Sequence, residues 1–288
     1  MKVFVTGSEG QLGRTLTETL PGTVDLAGGN LPELDLTDLP ALEARFAAER
    51  PDFVVKAAAY TAVDKADSAP EIARSVNVDG ARNVAQAARQ AGARVIQIST
   101  DFVFDGGKGE PYTPDDVPAP VSVYGKTKLD GETAVREATE GDAIVIRTAW
   151  LYSRFGQNFV KTMLRLMGER DTLSVVADQH GTPTWAGSLA EVIWSAIDQD
   201  LSGGVYHWTD GGEASWFEFA EAIYRQGRES GFLDRDVAIR AIPTAEFPTP
   251  ARRPAYSVLD CSETVAALGV EQRPWATRLQ QMLTDMRD

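Results

Sequence analysis

Tyr124 and Lys128 stand four residues apart in Tyr124-Gly-Lys-Thr-Lys128. On a helix that spacing puts both side chains on one face. A free phenol titrates near pH ~10, and a neighbouring ammonium favours its ionised form. The pair therefore offers a general acid or base, although it also fits an ordinary surface pair. Ser99-Thr100-Asp101 follows the apolar run Val95–Ile98. Residues at the carboxyl ends of parallel strands face the ligand crevice, so a hydroxyl there can donate to a carbonyl oxygen. By itself Ser-Thr-Asp is also common loop chemistry. The third piece is Thr6-Gly7-Ser8-Glu9-Gly10-Gln11-Leu12-Gly13, spaced G-x-x-G-x-x-G. It follows a first apolar run and opens a helical pattern. Glycines there let the backbone turn sharply and approach a pyrophosphate at a helix N-terminus. Together the three pieces supply a dinucleotide cradle, a carbonyl-polarising hydroxyl and a proton source, the parts of a hydride-transfer site.

These residues need a scaffold, and the first half of the chain alternates two patterns. Val3–Val5, Phe53–Val55, Val95–Ile98 and Ile144–Ile146 are short apolar runs rich in β-branched residues, which suits strands buried on both faces. Gln11–Leu20, Leu39–Arg50, Glu71–Ala91 and Tyr124–Ala138 have helical spacing. The second of these is entered through Thr37 or Asp38. The third starts after Pro70 and is closed by Gly92. Strand–helix alternation predicts an α/β protein with a doubly wound parallel sheet. The second half loses the rhythm. Strand-like Leu173–Val176 and Val205–Trp208 and helical Asn158–Gly168, Ser188–Asp198 and Trp216–Gly227 are separated by Gly, Pro and Trp. The expected organisation is a cofactor domain over residues 1–150, with the chain crossing back later, and a smaller lobe mainly over 151–288. A cleft between them is the default ligand site.

Composition excludes several classes. With 288 residues, 43% hydrophobic and 24% charged, the chain can bury a sizeable core. The net charge of −14 opposes bulk attraction to nucleic acid or to an anionic membrane. An anionic substrate then needs a locally positive site. One cysteine, Cys261, leaves no internal disulfide, and His180 and His207 form no ligand-spaced cluster, so no structural metal is expected. No G-x-S-x-G elbow marks a hydrolase. No leader-like start and no stretch of ~18 apolar residues occur, which predicts a cytoplasmic protein.

The chain resembles the extended short-chain dehydrogenase/reductase superfamily, and within it the dTDP-4-dehydrorhamnose reductase family. The strings that carry the resemblance run end to end: Gly10-Gln-Leu-Gly13, Ala57-Ala-Ala-Tyr-Thr-Ala-Val-Asp-Lys65, Ser99-Thr-Asp-Phe-Val-Phe-Asp-Gly106 and Val123-Tyr-Gly-Lys-Thr-Lys-Leu129. Arg147-Thr-Ala-Trp150, Gln157-Asn-Phe159, Asp178-Gln-His-Gly-Thr-Pro-Thr184 and Arg252-Arg-Pro254 with Ser257 follow.

The resemblance implies a Rossmann-type sheet with a smaller C-terminal α/β substrate-binding lobe. It implies NADPH or NADH as cofactor and a nucleotide sugar as substrate, reduced at a C4 ketone. Thr100, Tyr124 and Lys128 match the catalytic triad, with Tyr124 protonating the oxygen and Lys128 holding the nicotinamide ribose and lowering the phenol's pKa. Gly7, Gly10, Gln11 and Leu12 match the phosphate loop. Ala58, Ala59 and Tyr60 match the segment under the ribose and nicotinamide, and Asp35 and Leu36 the adenine contact. Asp101, Phe102 and Trp150 fall where the family contacts sugar and thymine, Trp150 offering a flat surface for the base. Because a guanidinium pairs well with phosphate oxygens, Arg253 is a candidate partner for the diphosphate; the alternative is a plain surface-loop charge.

Three departures matter. Phe102 replaces the family's tyrosine, so a hydroxyl contact is lost and stacking remains. Asp25-Leu-Ala-Gly-Gly-Asn30 lacks an acid for a ribose 2′-hydroxyl and an arginine for a 2′-phosphate, leaving NADPH against NADH open. Some members form a magnesium-bridged dimer through three glutamates. The aligned positions here are Thr15, Gly187 and Asp285, which argues against that bridge and leaves a monomer or homodimer. Two other readings share these motifs: another nucleotide-deoxysugar reductase or epimerase, and a non-catalytic regulatory subunit like that of methionine adenosyltransferase.

Overall fold

The computed structural model describes residues 1–287. Five strands in the first half are β1 (Lys2–Thr6), β2 (Asp25–Gly29), β3 (Phe53–Lys56), β4 (Arg94–Thr100) and β5 (Ile144–Thr148). A sixth, Gly204–His207, pairs with β5, and the sheet runs Gly204–His207, β5, β4, β3, β1, β2, all parallel. Successive residues of a strand face opposite sides, and here both sides are covered. Val3, Val5, Phe53, Val55, Ile96 and Ile98 pack in one apolar cluster with α1 (Gln11–Glu18) and the Ala186–Asp198 helix. Phe4, Val54 and Val95 pack in another with α2 (Leu39–Glu49) and the Gly80–Gln90 helix. The strands thus read as continuous apolar runs because neither face meets water. Asp38 is the residue that caps α2, accepting from the Ala41 amide at 3.0 Å.

The stretch expected as one helix over Glu71–Ala91 is broken in pitch. Pro70–Arg74 is α-helical, Ser75–Asp79 is a π-turn, and Gly80–Gln90 is α-helical again. The turn sits against the Val123–Ala138 helix, where Gly131 packs on the Asn77 carbonyl so tightly that a Cβ there would lie 2.2 Å from its oxygen.

The second lobe is built on a parallel pair, Thr172–Val176 with Ala238–Ile242. The helices Phe159–Glu169, Trp216–Glu229 and Trp275–Asp285 cover it and share an apolar cluster containing Val160, Met163, Leu173, Phe219, Ile223 and Leu279. Among the described residues no helix is long and apolar enough to cross a membrane.

Candidate active site

The carboxyl ends of β1, β3, β4 and β5 meet one cavity of about 620 Å³. Gly7, Gly10, Gln11 and Leu12 line it, as do Ala58, Ala59, Thr100, Asp101, Phe102, Tyr124, Lys128, Trp150 and Arg253. The sheet brings these residues together from positions scattered over most of the chain. Tyr60, Asp35 and Leu36 do not line it. Tyr60 packs with Val63, Ala66, Ala73 and Tyr124. Leu36 is core, and Asp35 accepts from the amide and hydroxyl of Thr37, each at 2.8 Å.

The glycine loop fits a dinucleotide. Gly7 has φ +75° and lies against Ala58, where a Cβ would sit 2.8 Å from the Ala58 nitrogen. A Cβ on Gly13 would lie 2.3 Å from the Gly7 carbonyl oxygen. No side chain caps α1 and its first turn holds no acid, and among the described residues the amides of Gln11, Leu12 and Gly13 find no acceptor. These open N–H groups suit a pyrophosphate. The Gln11 side-chain oxygen turns the other way, accepting from Asn158 Nδ2 at 2.9 Å and Ser153 Oγ at 3.2 Å, and so ties the loop to the second lobe. Beyond β2, Asn30 bonds back to Ser8 and Glu9. Arg45 of α2 reaches the Gly28 carbonyl at 3.5 Å and is a cation at this end that local sequence after β2 did not disclose.

Tyr124 and Lys128 lie in the first turns of the Val123–Ala138 helix, which Ser122 caps by accepting from the Gly125 amide at 3.1 Å. Both are buried. Burial pushes the Tyr124 phenol up to about 12, with the Asp101 charge adding to the rise and a hydrogen bond with Thr100 opposing it. In the protein alone burial sets the direction of the Tyr124 shift, and the Lys128 Nζ donates to the Ile98 carbonyl at 2.7 Å. Burial brings Lys128 itself down to about 8, opposed by Glu132. Phe102 packs edge-on against the Tyr124 ring at 5.6 Å.

Asp101 is held from two sides, by Thr100 Oγ1 at 3.0 Å and Ser257 Oγ at 2.6 Å. Burial raises its carboxyl to about 6. Ser257, three residues beyond Pro254, thus reaches Asp101 from a distant part of the chain. Asn77 on the π-turn bonds both the amide and the carbonyl of Tyr60, at 2.9 and 3.1 Å, and Thr127 at 3.1 Å. It joins the Ala58–Tyr60 segment to the Tyr124 helix. Lys56, wholly buried, supports the same segment through a 3.0 Å bond to the Ala58 carbonyl. Behind the site, Glu132 pairs with Arg147 at 2.8 Å and accepts from Ser99.

A second cavity of about 800 Å³ opens beside the first, lined by Phe159, Met163, Leu173, Trp216 and Phe247 among others. Trp216 and Arg253 border both cavities. Trp150, expected as the surface for a base, lines only the first. Its ring stacks on Trp216 at 3.5 Å and 9°, and Gly181 packs against the same ring. The second cavity's walls are largely apolar, with Phe159, Met163, Leu166, Leu173 and Phe247 beside Trp216.

Thr15 and Asp285 line a third cavity with Glu18 and Arg154, and Gly187 packs on Trp185. Among the described residues no group of three metal-ligating side chains forms.

The RmlD substrate binding domain family model matches residues 1–288. The chain belongs to that family. Among its relatives, a dTDP-4-dehydrorhamnose reductase of Sinorhizobium fredii is 40% identical over 98% of this chain and 97% of its own. A crystal structure of a dTDP-4-dehydrorhamnose reductase from Clostridium acetobutylicum superposes with a TM-score of 0.94 at 40% identity, covering 100% of both chains. One from Bacillus anthracis, in complex with NADP, gives 0.93 at 37% identity, covering 99% of both. A UDP-glucose 4-epimerase of Thermus thermophilus, 21% identical over 100% of this chain and 99% of its own, shares the Rossmann-type fold at a TM-score of 0.81.

Proposed function

We propose that this chain reduces the C4 ketone of dTDP-4-dehydro-β-L-rhamnose to dTDP-L-rhamnose, using NADPH or NADH. The observation that carries the reading is that Thr100, Tyr124 and Lys128 border the same cavity as the open amides of the Gly7–Gly13 loop. The names of the relatives and the NADP complex of the Bacillus anthracis enzyme support it.

Gly10, Gln11 and Leu12 would hold the pyrophosphate, and Lys128 the nicotinamide ribose. The Lys128 ammonium has three donors, and the Ile98 carbonyl takes one of them. When bound, the cofactor supplies a hydride. Thr100, whose single hydroxyl hydrogen goes to Asp101 in the protein alone, would turn that hydrogen to the ketone oxygen and so orient the ketone. Tyr124 donates its proton to the same oxygen as negative charge grows there. A phenol raised to about 12 stays protonated at neutral pH, as a proton donor must. Fixed donors aimed at the developing charge lower the barrier directly. Phe102 shields the Tyr124 ring from water.

The test is a coupled assay in which dTDP-glucose is converted enzymatically to the 4-keto substrate. Oxidation of NADPH or NADH with formation of dTDP-L-rhamnose is the expected result, and the faster cofactor sets the preference. Cofactor binding without oxidation would redirect the reading to a different deoxysugar.

A further inference from the structure

Asp64 lies on the short Val63–Ala66 helix of the cofactor half, and Arg253 on the loop that leaves the second lobe. Their side chains meet across the mouth of the site. Arg253 Nη1 donates to Asp64 Oδ1 at 3.0 Å and Nη2 to Oδ2 at 2.9 Å. The Ala251 amide adds a third bond to Oδ1 at 3.3 Å, and Nη1 also donates to the Ala251 carbonyl at 3.1 Å. The Asp64 carboxyl is held below the usual range, first by the Arg253 hydrogen bonds.

A guanidinium has five N–H donors in a rigid plane. Three of Arg253's are committed to Asp64 and Ala251. The two that remain are Nε–H and the second Nη2 hydrogen, which lie side by side on one edge and form a fork. Such a fork matches two oxygens of a phosphate. Arg253 also borders the Tyr124 cavity, the apolar cavity and a separate opening of about 720 Å³. That junction is where a group linking a base in one cavity to a sugar in the other has to pass.

We propose that Asp64 is a positioning residue for a diphosphate site: it fixes the plane of Arg253 so that the Nε/Nη2 edge receives two oxygens of the nucleotide diphosphate. The proposal rests on the functional reading above. Asp64 partly neutralises Arg253, so bare electrostatics would have its removal strengthen anion binding. Preorganisation has the opposite sign, because a loose arginine loses conformational freedom when it closes on the ligand. The experiment decides between these signs.

The measurement is calorimetric binding of dTDP and of thymidine to the full chain, wild type and the variants Asp64→Ala, Asp64→Asn, Arg253→Ala and Asp64→Ala/Arg253→Ala, each first checked for NADPH binding. Asp64→Ala should weaken dTDP about tenfold and leave thymidine unchanged, with the kinetic loss in KM rather than kcat. Asp64→Asn keeps an oxygen acceptor and should lose less. In the Arg253→Ala background, removing Asp64 should change dTDP affinity by less than about twofold, since coupled residues are not additive. Wild-type or tighter dTDP binding by Asp64→Ala, or additive losses, overturns the proposal alone. A wild-type protein that ignores dTDP overturns the functional reading and the proposal with it.

Discussion

If Tyr124 is the proton donor it must stay protonated at working pH, and burial, which pushes the phenol up to about 12, favours that form. Replacing it with Phe removes the donor while keeping the ring that packs on Phe102. Tyr124→Phe should lower kcat by about 10²–10⁴-fold and leave NADPH affinity within about tenfold of wild type by fluorescence titration, since a lost hydroxyl removes at most one modest hydrogen bond. Lys128, brought down to about 8 by burial, loses its charge as pH rises through that value. If the ammonium holds the ribose, kcat/KM falls on the alkaline side of pH 8, approaching tenfold per unit. Lys128→Arg keeps a charge at every accessible pH, so whatever activity it retains should lack that limb. Spacing in the sequence was enough to pair Tyr124 with Lys128, because a helix has a fixed pitch. The sign of the Tyr124 shift was not readable there, because desolvation depends on what covers the ring. The role of Asp64 was equally hidden: its partner is 189 residues away.

The Val123–Ala138 helix sets where Tyr124 points, and its approach to the Thr100 loop is governed by Gly125. A Cβ on Gly125 would lie 2.1 Å from the Phe102 carbonyl oxygen. That neighbour is backbone, so the helix or the loop must shift. Gly125→Ala should cost about 1–3 kcal/mol in urea denaturation, and should lower kcat by more than tenfold, because small displacements at a reacting centre are amplified. An unchanged kcat would show that the helix position is not what aligns Tyr124. The strands and most helices could be read from periodicity, since each is buried on a definite face. The π-turn at Ser75–Asp79 could not. The apolar spacing of Glu71–Ala91 continues through it, and the added residue only becomes meaningful once Asn77 is seen bonding Tyr60 and Thr127.

At the scale of the whole molecule, buried charge joins the parts. Glu132 on the Tyr124 helix faces Arg147 on β5, which approaches His207 on the sixth strand at 3.4 Å. Glu132→Gln strands the arginine in the interior and should cost about 3–5 kcal/mol of stability, read as a fall in the urea midpoint. Asp210 behaves differently. Burial raises it to about 7 despite bonds from Ser188 and the Trp185 amide. The folded form therefore keeps a proton that the unfolded chain gives up near its ordinary pKa. Stability from this group is complete below about pH 4, falls as pH rises, and is lost above 7. Asp210→Asn does not titrate, so the Tm difference, mutant minus wild type, should become more positive from pH 4 to 7 and then level off. A flat difference would show that Asp210 is ionised throughout. None of this was visible in a net charge of −14, which counts charges without locating the few that are buried.

The sixth strand, Gly204–His207, also bears on how the protein is made. During synthesis β5 has an open edge until residue 207 leaves the ribosome, and the face later covered by the Ala186–Asp198 helix stays bare for nearly as long. At roughly 5–20 residues per second, the interval between β5 and its neighbour lasts on the order of 3–12 seconds. An uncapped parallel edge is a template for the wrong partner. A fragment cut after residue 150 keeps that edge open, and should aggregate more readily than the full chain.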